Sequence, residues 1–167
     1  MNVYKKGGFI MMIGLEEIVK AFNEAKLEAI LIGNSAAVEE GVVINTFDYD
    51  FFIRDYEKSK EKIKNLAKKL DADMVVPDRA VTSQIILENP KKNLYIDIID
   101  KPAGMKHFAS TRSRSFKLDY KGNNLVWCAS LEDIIASKKS LGRDKDLAAL
   151  PILEKTLKCK QEINNEK

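Results

Sequence analysis

A short apolar run that ends abruptly at a glycine constrains this chain more than any other feature. Ala29-Ile30-Leu31-Ile32 is followed at once by Gly33-Asn34. Four consecutive apolar residues closed by that pair read as a buried strand entering a tight turn. On its N-terminal side, Leu15, Ile18, Val19 and Phe22 keep the i, i+3, i+4, i+7 spacing of an amphipathic helix, with Glu and Lys opposite. On its C-terminal side, Ser35 to Glu40 can form a short helix stopped by Gly41.

The same alternation continues. Residues 49–53 (Tyr-Asp-Phe-Phe-Ile) read as a second strand, and a charged helix follows from about Glu57 to Leu70 with Ile63, Leu66, Ala67 and Leu70 as its buried stripe. After Met74-Val75-Val76 and Pro77 the pattern turns to strands. Gln84–Glu88 and Leu94–Ile99 flank a turn at Asn89–Asn93, and Phe116–Tyr120 and Leu125–Cys128 flank Lys121-Gly122-Asn123-Asn124, so two hairpins are expected. Ser130-Leu-Glu-Asp133 is a capping-box pattern opening a helix that carries Leu131, Ile134 and Ile135. A last helix from about Asp144 carries Leu147, Leu150, Leu153 and Leu157, with a bend expected at Pro151. The expected fold class is therefore α/β (α+β): one domain over residues 13–158, a mixed sheet flanked by helices, with C-terminal helices. Residues 159–167 are polar and expected to be a flexible, fraying tail. Residues 1–12 are set apart as an N-terminal extension. Met11 and Met12 stand just before the first helix, which suggests that translation starts there.

Composition removes several function classes. With 167 residues, one domain can bury a proper core without disulfides. The net charge of +3 is mildly basic and spread along the chain, so it permits a phosphate-bearing partner without arguing for one. No apolar run approaches the roughly 20 residues that span a bilayer, and the N-terminus lacks the order of a signal peptide. A cytoplasmic protein without membrane contact is expected, with Cys128 and Cys159 as reduced thiols. The single histidine, His107, excludes zinc sites built on His pairs and most Ser-His-Asp chemistry. It sits in the polar stretch Gly104–Ser115 and reads as a solvated loop residue.

Chemistry concentrates in Leu31–Ile53. The Gly33-Asn34-Ser35 turn runs into a helix start, pointing backbone amides at one spot that suits a phosphate. Gly33 permits close backbone approach, and Ser35 offers a hydroxyl. Asp48 and Asp50, two residues apart, share a strand face, while Tyr49, Phe51 and Ile53 face the core. Two adjacent carboxylates repel unless a cation lies between them, and Mg²⁺ is the natural occupant. In Leu94–Ile99 the apolar face is Leu94, Ile96 and Ile98, which leaves Asp97 on the other face with Tyr95 and Ile99. A carboxylate there needs water or a positive partner. The strand alone leaves a solvent-facing residue and a site residue equally open. Asp100, at the strand end, reads as a turn residue.

Gly33-Asn34-Ser35, twelve residues, then Asp48-Tyr49-Asp50 resembles the signature of the polymerase-beta-type nucleotidyltransferase superfamily. The likeness is to its small bacterial and archaeal members, related to the minimal and abortive-infection (AbiEii-like) nucleotidyltransferases. Tyr95–Gly104 is similar to the strand carrying that family's third carboxylate, and Ser130–Leu153 to its C-terminal segment, so the resemblance spans Leu27 to Leu153. Two positions depart from the pattern: Asn34, where a second Gly or a Ser is usual, and Ile44, where many relatives have Arg. The resemblance implies that Asp48, Asp50 and Asp97 hold Mg²⁺ (or Mn²⁺) on a nucleoside triphosphate and perform the catalysis, Asp97 helping to deprotonate an acceptor hydroxyl. The amides of Gly33, Asn34 and Ser35 would hold phosphates, with Lys138, Arg143 and Lys145 as further nucleotide-binding candidates. Read as residues alone, Lys138 and Lys139 are ordinary solvated helix positions, and Arg143-Asp144-Lys145-Asp146 neutralises itself through local pairs. The acceptor is left open among an RNA end, a protein and a small molecule, with a homodimer or a small partner subunit to supply its surface. The rival expectation is a non-catalytic nucleotide- or partner-binding module, such as half of a toxin–antitoxin pair.

Overall fold

A computed structural model describes residues 13–77 and 84–166. The expected extension at residues 1–12, with its start at Met11 or Met12, lies outside the described residues.

The chain opens with helix α1 (Leu15–Glu24), which buries Ile18, Val19, Ala21 and Phe22. It leads into β1 (Ala29–Ile32), buried along its whole length, and then directly into α2 (Gly33–Glu39). Strand β2 (Tyr49–Ile53) and helix α3 (Tyr56–Leu70) follow, α3 burying the expected stripe Ile63, Leu66, Ala67 and Leu70. Asp55 starts α3 by accepting the Lys58 amide at 3.1 Å, and Asp71, left-handed at φ 52°, ends it. Strands β3 (Asp73–Val75), β4 (Gln84–Asn89) and β5 (Leu94–Ile99) come next, β4 and β5 forming the expected hairpin about a 3₁₀ turn at Pro90–Lys92. The second expected hairpin is β6 (Phe116–Tyr120) with β7 (Asn124–Cys128), its turn using positive φ at Gly122 and Asn123.

The seven strands among the described residues form one sheet in the order β3-β4-β5-β2-β1-β7-β6. It is mixed: β1 runs antiparallel to β2 and parallel to β7, while β2 runs parallel to β5. Helices cover both faces, as the neighbours Phe51 and Phe52 show by pointing opposite ways. Phe51 packs on Phe22 of α1, with ring centroids 4.3 Å apart. Phe52 meets Phe108 edge-on at 5.2 Å on the other face. Asn23 ties α1 to the sheet by donating to the Leu125 carbonyl at 2.8 Å.

Three expectations need correction. The stretch Gly104–Ser115 is not loop throughout: residues Phe108–Arg114 form helix α4, with Phe108 and Thr111 buried, while His107 stays exposed in the loop before it, as expected. One large apolar residue in seven leaves no periodicity to read, and packing against Phe52 supplies what the sequence pattern lacks. The capping box is half formed. Ser130 caps α5 (Leu131–Leu141) by accepting the Asp133 amide at 3.3 Å, but the Asp133 carboxylate turns away to a bidentate pair with Arg114 at 2.8–3.1 Å. The last helix, α6 (Asp144–Asn165), which contains Pro151, continues past Lys158, although residues 161–166 are all exposed. Cys128 is buried in the sheet and Cys159 exposed on α6; neither is in a disulfide. No described helix is long and apolar enough to cross a membrane.

Candidate active site

Strand register assembles the site. Asp50 sits opposite Ile32 across the β1–β2 ladder and opposite Asp97 across the β2–β5 ladder. Residues in register on neighbouring strands share a face, so the Asp50 and Asp97 side chains stand side by side at the middle of the sheet. Asp48 comes from the bend just before β2, where the Thr46 hydroxyl donates to its carbonyl at 2.9 Å. One carboxylate oxygen from each of Asp48, Asp50 and Asp97 lies within 4.8 Å of the others.

Gly33 makes room for this cluster. Its φ of +68° is left-handed, and a Cβ there would lie 2.2 Å from Asp50 Oδ2. The turn is pressed directly onto the carboxylate, which only glycine allows. Asn34, beside it, faces the same cleft, and its Oδ1 is shielded from solvent with no hydrogen-bond partner.

The cleft has a volume of about 290 Å³ and is walled by the Gly33-Asn34 turn, the three aspartates, Gln84, the Lys101–Ala103 loop, and α5 with the start of α6. Of the sequence candidates it brings together Gly33, Asn34, Asp48, Asp50, Asp97, Lys138, Arg143 and Lys145. It does not include Ser35, which is buried and donates its hydroxyl to the Ile32 carbonyl at 3.2 Å. The hydroxyl expected for a phosphate is thus spent on closing the strand–helix turn. Ile44, at the other departure from the family pattern, packs against the core.

The cleft is electrostatically divided. Burial first, then the charges of Asp48 and Asp97, push the Asp50 carboxyl up to about 7, with Lys138 and Lys145 pulling the other way. Asp97 is raised too, by burial and by Asp48, and this is offset by Gln84, Asp50 and Lys145. Opposite the acids stands a cationic wall. Lys138 is not a solvated helix residue but is buried, and so is Asp146, which is only 1% exposed. Asp146 accepts from Arg143 Nε at 2.6 Å, from Arg143 Nη2 at 3.3 Å and from Lys138 Nζ at 3.4 Å. Burial opposes its ionisation, but the Arg143 and Lys138 interactions prevail and hold its carboxyl below the usual range. A local pair does form within residues 143–146, between exposed Arg143 and buried Asp146, and buried Lys138 joins it from the preceding helix. Sequence reasoning missed Asp146, Gln84 and Lys101 as cleft residues. The pairing of Asp146 with Lys138, eight residues earlier on another helix, had no local signal.

Neither a family model nor a curated protein sequence matches the chain. Solved structures do, and they show the fold that the chain shares with them, a mixed sheet flanked by helices. The solution structure of the antibiotic-resistance factor ANT(2'')-Ia superposes with a TM-score of 0.51 at 12% identity, covering 92% of this chain and 96% of that one. The crystal structure of ANT(2'')-Ia in complex with adenylyl-2''-tobramycin gives a TM-score of 0.57 at 14% identity, covering 88% of this chain and 89% of that one.

Proposed function

We propose that this chain is a metal-dependent nucleotidyltransferase, transferring a nucleoside monophosphate from a nucleoside triphosphate to a hydroxyl acceptor and releasing pyrophosphate. We place it, as a single domain over residues 13–158, with the small cytoplasmic bacterial and archaeal enzymes of the AbiEii-like and minimal type. The observation that carries this reading is the meeting of Asp48, Asp50 and Asp97 in one cleft with the Gly33-Asn34 turn.

The donor set fits a divalent cation. Three carboxylates within 4.8 Å form an all-oxygen site, and burial, reinforced by their mutual repulsion, raises Asp50 and Asp97. Hard oxygen ligands of that charge suit Mg²⁺ or Mn²⁺. When bound, the metal neutralises charge building on the phosphoryl oxygens. The residues of the chain do the rest. Backbone amides at Gly33 and Asn34 hold phosphate oxygens. Lys138, Arg143 and Lys145 face the β- and γ-phosphates, the portion that leaves. Asp97 takes the proton of the acceptor hydroxyl as that oxygen bonds to the α-phosphorus. The bond from the α-phosphorus to its bridging oxygen breaks, and pyrophosphate departs with the electron pair.

The test is incubation with each α-labelled nucleoside triphosphate, Mg²⁺ or Mn²⁺, and a cell extract containing RNA, protein and small molecules. Label should enter one of these fractions. Tight nucleotide binding with no transfer from any triphosphate and either metal would favour the non-catalytic binding module instead.

A further inference from the structure

The most heavily buried charged group facing the cleft is one to which the nucleotidyl-transfer reading gives no work. Asp146 is 1% exposed and carries no metal, since its contacts are Arg143 and Lys138. Burying a carboxylate beside a nearly buried lysine is costly, and replacing such a pair by apolar residues is often neutral or stabilising. Fold stability alone therefore gives little reason for it. Its geometry shows another use. Lys138 comes from the last turn of α5 and Arg143 from the N-cap of α6, so one carboxylate at the start of α6 clamps cations from both sides of the Gly142 turn. Both cations also line the cleft that holds Asp48, Asp50 and Asp97.

We propose that Asp146 is a positioning residue for the polyphosphate of the substrate: it holds the Lys138 ammonium and the Arg143 guanidinium on the cleft wall so that both are already ordered when the triphosphate arrives. The inference rests on the nucleotidyl-transfer reading for the identity of the ligand but not for any step of chemistry. Two free, rotamer-rich side chains must be ordered on binding, whereas two clamped ones need not be.

The experiment is calorimetric binding of inorganic tripolyphosphate, and of a nucleoside triphosphate with Mg²⁺, to the wild type, Asp146→Asn and Lys139→Met. Lys139 is the control because it lies on the same helix as Lys138 but pairs with Glu154 at 2.7 Å on the surface. Asp146→Asn makes the cleft more positive, so a charge-only or purely structural role predicts unchanged or tighter binding of the anion. Positioning predicts the opposite sign, a loss on the order of tenfold in affinity, with Lys139→Met within about twofold of wild type. If Asp146→Asn does not fold, Lys138→Met with Asp146→Asn leaves no orphaned buried ammonium and is compared with Lys138→Met alone. The double variant should bind more weakly, because Arg143 has lost its anchor. Equal or tighter binding in either comparison overturns the proposal, as does a wild type that binds neither ligand. A wild type that binds tripolyphosphate and loses it in Asp146→Asn, yet transfers no nucleotide, sinks the transfer reading and leaves this one standing.

Discussion

Replacing Gly33 by alanine probes the point where backbone and carboxylate are pressed together. Two costs follow from the structure. A residue with a Cβ at φ +68° pays roughly 1–2 kcal/mol for the left-handed conformation. Its Cβ would also stand 2.2 Å from Asp50 Oδ2, and even Asp50 Cγ and Cβ lie at 3.1 and 3.3 Å, so the carboxylate must rotate out of the cluster. For a domain of this size, each kcal/mol moves the melting temperature by roughly 2–4 °C, so metal-free Gly33→Ala should melt about 2–8 °C below wild type. The larger effect is on metal. At a concentration a hundredfold above Kd the wild type gains about 2.7 kcal/mol, or about 5–11 °C, and the variant should lose most of that gain. Thermal melting with and without Mn²⁺ or Mg²⁺ reads both numbers. A variant that melts within a degree of wild type and keeps the full metal shift refutes the idea that Gly33 makes room for Asp50.

Three further outcomes are expected. Asp50 has a folded-state pKa of about 7 against an ordinary value of 3.8, so the folded metal-free protein binds a proton that the unfolded chain releases. Stability should therefore fall as pH rises from about 4 to about 7 and level off above; urea melts of Asp50→Asn across that window should show a flatter profile. Gly104→Ala should destabilise by about 2 kcal/mol or more, since a Cβ there would meet the α5 backbone at Ser137 Cα (2.8 Å) and Ala136 O (2.9 Å); a melting temperature within a degree of wild type counts against the close loop–helix contact. Arg114→Met orphans the buried Asp133 carboxylate and should cost about 1.5–3 kcal/mol by denaturant melts, with metal response unchanged.

Much of this arrangement is legible in the sequence because it is local. The run Ala29–Ile32, the strand at residues 49–53 and the stripe on α3 all follow from periodicity; Asp48 and Asp50 meet as expected, although Asp48 stands in the bend before β2 and not on the strand itself. Asp97 was undecidable on its own strand; only the parallel register Asp50 to Asp97 aligns it with the other two, and register between distant strands is tertiary information. Helix α4 has no periodic signal of its own, since its one large apolar residue, Phe108, packs on the distant Phe52. The Ser35 hydroxyl, expected in the site, is taken by the Ile32 carbonyl three residues back. Within residues 138–146 most charges are solvated, and nothing in their spacing marks Lys138 and Asp146 as the buried pair. The difference lies in the packing of α5 on α6, which no segment of the sequence displays alone.

The central claim is that the three acids form a working site in which Asp97 does the chemistry. Its most direct test is Asp97→Asn, assayed for nucleotide affinity by calorimetry and for transfer of labelled nucleotide into extract, side by side with wild type. Removing the proton acceptor should lower transfer on the order of a hundredfold or more, while triphosphate binding stays within a few-fold. Transfer that survives the substitution unchanged would contradict the account by removing Asp97 from the mechanism.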